Sequence, residues 1–238
     1  MATVRSSHPH PHRGPRAFVV AGITFAALVL AVALVVALNY DFSTTVVQGS
    51  GDVATDVRTL PPFASVDLAG ANTVTIGVGG EQRVVVRGDE NVIPLVTTDV
   101  EDGTLVIAQS ESFDTATSLT VEIVVPALDA VRLSGAGTIA VDGHDLDQLA
   151  LSLPGSGTLR GSGDAQRLEV ELGGTGDLEL GALVATHATV ALSGSGNVHV
   201  HATDSLVARI SGTGSVFYAG DPESVTQEIT GTGVIVEE

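Results

Sequence analysis

The sequence predicts an all-β protein, a β-solenoid (parallel β-helix-like) of about 19-residue coils, preceded by one N-terminal transmembrane α-helix. Two observations predict the solenoid. A glycine motif recurs at nearly constant spacing, and apolar residues alternate with polar ones between its copies. An uncharged apolar stretch of 22 residues near the N-terminus predicts the helix.

From residue 133 onward the chain repeats one pattern: aliphatic, small, glycine, small, glycine, any residue, aliphatic. The copies begin at Leu133, Leu153, Leu172, Leu192, Ile210 and Ile229. Their structural repeat glycines are Gly135, Gly137, Gly155, Gly157, Gly174, Gly176, Gly194, Gly196, Gly212, Gly214, Gly231 and Gly233. Successive pairs are 18 to 20 residues apart, and a period of this length is typical of a solenoid.

Alternating apolar residues precede each glycine pair, as in Leu149, Leu151 and Leu153, and predict a strand with one buried face. Each coil is therefore expected to hold about two short strands joined at a Gly-x-Gly bend. Stacking the coils in parallel would place the first aliphatic residue of every copy in one buried column. We expect the glycines to permit unusual backbone angles and to let adjacent coils approach closely.

The remaining chain divides by composition. Residues 1–16 are predicted to be a cytoplasmic tail, 17–38 the transmembrane helix and 39–59 a linker, followed by an irregular β part at 60–126 and the regular coils at 127–238. Within the irregular part, Leu68–Val74 resembles a degenerate copy of the repeat that has lost its second glycine. Asp102-Gly103 predicts a tight hairpin turn between two alternating runs.

The apolar stretch determines the expected location. Arg5, Arg13 and Arg16 precede it, and by the positive-inside rule they keep the N-terminus in the cytoplasm. We therefore expect a single-pass cell-membrane protein with an extracytoplasmic C-terminal domain. A cleaved signal peptide is the alternative, because Ala31-Val32-Ala33 has the small residues of a cleavage site.

Composition excludes several classes of function. Seven arginines stand against 28 acidic residues from Asp41 onward, a net charge of −21, and such a surface repels nucleic acid. The chain contains no cysteine, which excludes disulfides and thiol chemistry. No motif indicates a cofactor.

Candidate chemistry is confined to two groups of residues. His199 and His201 lie two apart on one predicted strand, with Glu179 at the matching position of the preceding coil, so a metal site is geometrically conceivable. The simpler interpretation is a surface stack that continues to Phe217. Enzymes on parallel β-helices use clustered Asp and Arg, for which the candidates are Asp142, Asp145, Asp147, Arg160 and Arg167. We favour a polar turn at residues 143–147 and predict neither a catalytic nor a metal site.

The block at Phe63–Ile76 together with the LSGSGNV-type coils resembles the head GIN domain family of putative auto-transporter adhesins of bacterial envelopes. The resemblance covers about residues 60–238. It implies a β-helix-like solenoid at the cell surface and brings no catalytic residues.

The sequence therefore predicts a membrane-anchored binding, adhesion or scaffold module at the cell envelope, whose partner would be a cell-surface polymer or protein. One alternative is an envelope sensor that signals through a partner membrane protein, and a second is a polysaccharide-active β-helix enzyme. The last coil ends at Val236 and leaves an uncovered edge where a homo-oligomer could form, although Glu237 and Glu238 discourage edge pairing.

Overall fold

The computed structural model describes residues 46–238, in which regular structure is almost entirely β-strand. The predicted cytoplasmic tail and transmembrane helix, together with residues 39–45 of the predicted linker, lie outside the described residues. Residues 46–238 contain no helix of the length and apolar character needed to cross a membrane.

The first nine strands are β1 (Val47–Gln48), β2 (Val53–Arg58), β3 (Ser65–Leu68), β4 (Thr73–Val78), β5 (Arg83–Asp89), β6 (Val96–Glu101), β7 (Thr104–Gln109), β8 (Phe113–Asp114) and β9 (Thr120–Val125). A single-turn 3-10 helix spans Ile93–Leu95. The later strands are β10 (Ala130–Leu133), β11 (Thr138–Leu153), β12 (Thr158–Leu172), β13 (Asp177–Leu192), β14 (Asn197–Ile210), β15 (Ser215–Ala219), β16 (Ser224–Ile229) and β17 (Val234–Glu237).

The predicted β-solenoid is confirmed. Strands β11 to β14 stack in parallel, and β10, β15, β16 and β17 continue the stack at its two ends. The expectation of two short strands per coil is wrong in detail, because β11 to β14 each run for 14 to 16 residues from one bend to the next. Register shifts such as that between Gly143 and Leu146 absorb the extra residues, as β-bulges do, without ending the strand.

The aliphatic column predicted from the repeat is also confirmed. The first residues of the six copies lie in register, and the column extends below Leu133 to Leu68 and Ile107. Its members from Ile107 to Ile210 are buried, whereas Ile229 in the last coil is 44% exposed. Burial of one aliphatic side chain stabilises a fold by about 2 kcal/mol, so this column is a main source of stability.

The repeat glycines serve close approach and not unusual backbone angles. None of the twelve adopts a positive φ, which corrects that part of the expectation. A Cβ at Gly155 would instead overlap the carbonyl oxygen of Gly135 in the coil beneath, and a Cβ at Gly157 would overlap that of Gly137. Between the glycines of each bend, the middle residue points outward and is exposed; these residues are Ala136, Ser156, Thr175, Ser195, Thr213 and Thr232.

The solenoid begins within the irregular part. Strands β3 and β4 pair in parallel with β10 and β11, and Leu68 lies in register with Leu133, so the degenerate copy of the repeat forms a bend of the same stack. Antiparallel strands β2, β5 and β6 then surround this end. The turn predicted at Asp102-Gly103 joins β6 to β7, and both of its residues have positive φ.

Part of the predicted linker is ordered structure. Residues 53–58 form β2, which pairs with β5 over its whole length. Only alternate residues of β2 are half-buried, and its Val53 and Val57 are exposed, so its sequence lacks the strongly apolar face that identifies a core strand. Tertiary pairing, and not local sequence, therefore fixes this strand.

A buried carboxylate fastens the chain to this end of the solenoid. Asp89 is fully buried, and its side chain accepts hydrogen bonds from the backbone N–H groups of Gly51, Ala116 and Thr117 at 2.8 to 3.2 Å. Burial raises its pKa, but the three backbone donors outweigh burial and hold the pKa of Asp89 below its usual value. Asp89 thus ties the segment before β2 to the loop before β9.

Candidate binding surface

A shallow depression of about 480 Å³ runs along the solenoid axis beside the Gly-x-Gly bends. One side is formed by outward residues of successive strands and the other by the small residues that begin each bend. Its principal side chains are Arg132, Ser152, Glu171, Ala191, Arg209 and Glu228 on the strands and Pro154, Gly173, Ser193, Ser211 and Thr230 at the bends. We call this surface the arginine groove.

The groove is long because the register of the coils is constant. Arg132, Ser152, Glu171, Ala191 and Arg209 are consecutive register partners. At about 4.8 Å per coil, the two arginines lie about 19 Å apart. Between them, Gly173 and Ala191 have small or no side chains, which leaves the depression open. A second depression, lined by Glu169, Glu171 and Thr189, adjoins the groove on the same face.

The charges of the groove are only weakly paired. Arg132 Nε lies 3.6 Å from Asp67 Oδ2, and Arg209 Nε lies 3.4 Å from Glu228 Oε2. The two arginine side chains are 54% and 57% exposed, and ion pairs at such exposure contribute at most about 1 kcal/mol. Both arginines can therefore leave their present carboxylate partners and bind acceptor groups of a ligand.

The neighbouring face contains the predicted surface stack. Arg160, Glu179, His199 and Phe217 are consecutive register partners. Arg160 donates two hydrogen bonds to Glu179, at 2.7 and 3.0 Å, and this contact raises the pKa of Arg160. The rings of His199 and Phe217 stack with centroids 4.6 Å apart. The charged groups of this face already satisfy one another, unlike those of the arginine groove.

The three candidate metal ligands are not brought together as a site. Glu179 is held by Arg160, and a register shift separates His199, which pairs with Glu179, from His201, which pairs with Val184. Within residues 46–238, no three His, Asp or Glu side chains cluster in a way that could hold a metal ion.

The acidic residues considered for an enzyme lie at a corner of the coil. Asp142 accepts a hydrogen bond from Ser162, and the backbone N–H of Asp145, whose φ is positive, donates to Asp164. His144 Nδ1 lies 2.9 Å from Asp164 Oδ1. These contacts join two coils, and Arg160, one of the two arginines considered with the acids, is hydrogen-bonded to Glu179.

The corner pair makes stability depend on pH. The hydrogen bond to Asp164 raises the pKa of His144, and the same bond together with the Asp145 N–H lowers the pKa of Asp164. The pair therefore stabilises the fold fully between about pH 4 and 6.5. Its contribution weakens as pH falls through the lowered pKa of Asp164, and it weakens as pH rises through the raised pKa of His144.

We expect His144→Asn to lower the melting temperature by about 2 °C at pH 6 and by less at pH 8.5, as measured by circular dichroism. Equal effects at both pH values would show that the pair does not titrate.

Sequence reasoning missed the arginine groove. Arg132 and Arg209 each stand directly before the first aliphatic residue of a repeat copy, where alternation requires an outward side chain. That position holds Arg, Ser, Glu, Ala, Arg and Glu in successive copies. This mixture of arginine, acidic and small residues at one outward position was the available signal, and it lies one residue before the glycine motif begins.

The fold has counterparts among known proteins. The family model described as "putative auto-transporter adhesin, head GIN domain" matches residues 62–222, which is more than half of the chain. The chain belongs to the head GIN domain family. A crystal structure of a putative adhesin from Bacteroides fragilis has a TM-score of 0.67 to this head GIN domain protein at 21% identity, covering 81% of this chain and all of the other.

A second solved structure shares the architecture of this head GIN domain protein. A putative lipid binding protein from Parabacteroides distasonis has a TM-score of 0.52 at 22% identity and covers 81% of this chain and 99% of the other. At such identities the likeness concerns the fold alone. The search of curated proteins found no match to the chain.

Proposed function

We propose that the protein is a membrane-anchored, extracytoplasmic binding scaffold of the bacterial cell envelope, and that the arginine groove holds an extended polymer or protein segment at the cell surface. The observation that carries the proposal is the groove itself, an elongated depression with exposed, weakly paired arginine side chains on strands about 19 Å apart. Membership in a family described as putative adhesins supports the same role.

The rigidity of the solenoid favours binding. The backbone ladder continues through the bends, where Ser156, Thr175, Ser195 and Thr213 each donate an N–H to a glycine carbonyl of the coil beneath at 3.0 to 3.2 Å. Groove residues on successive coils are therefore fixed relative to one another. A preorganised surface loses less conformational entropy on binding than a mobile one, so contacts along the groove translate more fully into affinity.

A double substitution tests the groove. We expect Arg132→Glu with Arg209→Glu to weaken binding of the full-length chain to isolated envelope polysaccharide or protein fractions by at least about tenfold. The matched control is Arg83→Glu with Arg87→Glu, which changes charge equally at two exposed arginines of β5. Binding is measured by sedimentation with each fraction. Equal losses in both variants would indicate a general charge effect and contradict a role for the groove.

The proposed topology makes a separate prediction. Because the chain has no cysteine, single cysteines report location without background. A membrane-impermeant maleimide should label Thr213→Cys, at an exposed bend, on intact cells, and should label Ser7→Cys only after lysis. Labelling of Thr213→Cys only after lysis would contradict export of the domain. Loss of the residue-7 cysteine from the mature chain would contradict the anchor and indicate a cleaved signal peptide.

A further inference from the structure

The first bend of the solenoid departs from all the later ones at one residue. Asn72 stands where the later copies have their second glycine, since Thr138 N–H donates to the Asn72 carbonyl just as Thr158 N–H donates to that of Gly137. At Gly137 and its successors a side chain would overlap the carbonyl of the coil beneath. Beneath Asn72 there is no such bend, and a side chain fits.

The segment beneath Asn72 is a loop. Strand β4 lies on β9, and β3 lies on β7, but residues 110–119 connect β7 to β9 where later coils use a four-residue bend. The loop contains β8, which pairs with β1 in a separate two-stranded sheet and not with the stacked coils. A depression of about 570 Å³ lies between this loop and the first bend, which is a volume suited to a small ligand.

Asn72 belongs to the lining of this depression, and its side-chain amide has a donor that is not used. Asn72 is 4% exposed, and its Oδ1 accepts a hydrogen bond from Gln109 Nε2 at 3.1 Å. Its Nδ2 is buried and has no acceptor among the described residues. Buried amide groups are normally paired, so the unpaired donor of a residue that lines a depression indicates a missing partner.

The remaining lining defines the chemistry of that partner. Gln109 contributes an amide, Ser118 and Thr120 contribute hydroxyls, and the half-buried Phe113 contributes an apolar ring. Among residues 46–238, Asp114 is the only charged side chain that lines it. Amide and hydroxyl groups around one aromatic ring suit a ligand that is uncharged, hydroxylated and partly apolar.

We propose that this depression binds a neutral sugar residue, with Asn72 Nδ2 donating to a hydroxyl or ring oxygen of the sugar. The site is separate from the arginine groove, and it does not depend on the proposed function of the groove. It would give the N-terminal end of the solenoid a carbohydrate subsite of its own.

The chain contains only four asparagines, Asn39, Asn72, Asn91 and Asn197, so asparagine-selective ¹⁵N labelling resolves their side-chain amides by NMR. The full-length chain in mild detergent is titrated separately with glucose, galactose, mannose and N-acetylglucosamine to about 100 mM, enough to detect a Kd of about 10 mM. We expect at least one sugar to shift the Asn72 amide signals saturably while those of Asn197 stay fixed. If none of the four moves Asn72, the depression holds only water and the proposal is overturned.

Variants then separate binding from folding. Asn72→Gly lacks the reporter amide, so the affinities of the variants are measured on the sugar signals by saturation-transfer-difference NMR. This substitution restores the residue of the later bends and should weaken the affinity for that sugar at least tenfold without loss of folding. Gln109→Ala, on the exposed wall, should weaken it as well and provides a second variant if Asn72→Gly folds poorly. Asn197→Ser, a change to the residue at the matching position of the next coil, should have no effect. Unchanged sugar affinity in both Asn72→Gly and Gln109→Ala would contradict the site.

The groove variant Arg132→Glu with Arg209→Glu should keep the sugar response, so failure of the groove proposal and failure of this one are distinguishable.

Discussion

Gly176→Ala is expected to destabilise the protein by about 3 kcal/mol, because the coils have no room for a methyl group at the bend. A Cβ at Gly176 would overlap the carbonyl oxygen of Gly157 and lie 2.9 Å from Leu153 Cδ2. The coil above offers no relief, since Gly196 is packed in the same way on the carbonyl of Gly176. Backbone ladders on both sides would have to separate to admit the methyl group.

Gly181→Ala is the matched control for this substitution. Gly181 lies in the same strand, β13, has no positive φ, and would place its Cβ with nothing within 4 Å. We expect the free energy of unfolding to change by less than about 0.5 kcal/mol there. Urea unfolding of the full-length chain, followed by circular dichroism, measures both variants. Similar losses at both sites would mean that the tight stacking of the bends is not what selects glycine.

Leu172→Ala is expected to lower the free energy of unfolding by about 2 to 5 kcal/mol. Leu172 is fully buried in the middle of the aliphatic column, between Leu153 and Leu192, so the truncated side chain leaves a cavity that rigid coils close poorly. The same change at Ile229, which is 44% exposed in the last coil, should cost less than about 1 kcal/mol.

The pair Leu172→Ala and Ile229→Ala therefore tests whether position along the column determines stability. Both are measured by urea unfolding under the same conditions. If the Ile229 variant lost as much unfolding free energy as the Leu172 variant, the last coil would have to be covered by a partner in solution, and position along the column would not determine stability.

The regular coils were predictable from the sequence because six copies of the repeat each supply a residue at every equivalent position. A single alternating run such as Leu149, Leu151 and Leu153 is ambiguous, but its recurrence fixes both the inward face and the register, and this placed Leu68 and His199 correctly. Structure that is formed by repeated residues can be predicted from sequence, since each copy constrains the position of the others.

Features that occur once could not be predicted in this way. Strand β2 pairs with β5 across a separation of about 30 residues, and nothing in its local sequence indicates that partner. The arginine groove depends on which outward side chains are small, and the depression beside Asn72 depends on a loop that departs from the stack. The lost second glycine at Asn72 was visible in the sequence, but its meaning required knowing that no bend lies beneath it.

Both proposed binding surfaces require that the bends lie in register along one line, and a distance measurement tests this most directly. In the cysteine-free chain, spin labels at Ala136→Cys and Thr232→Cys mark exposed positions five coils apart, and labels at Ala136→Cys and Thr213→Cys mark positions four coils apart. Pulsed electron paramagnetic resonance should give distances of about 24 and 19 Å, which differ by the spacing of one coil, about 4.8 Å. Distances that do not shorten by one coil spacing between the two pairs would contradict the in-register solenoid and the groove built on it.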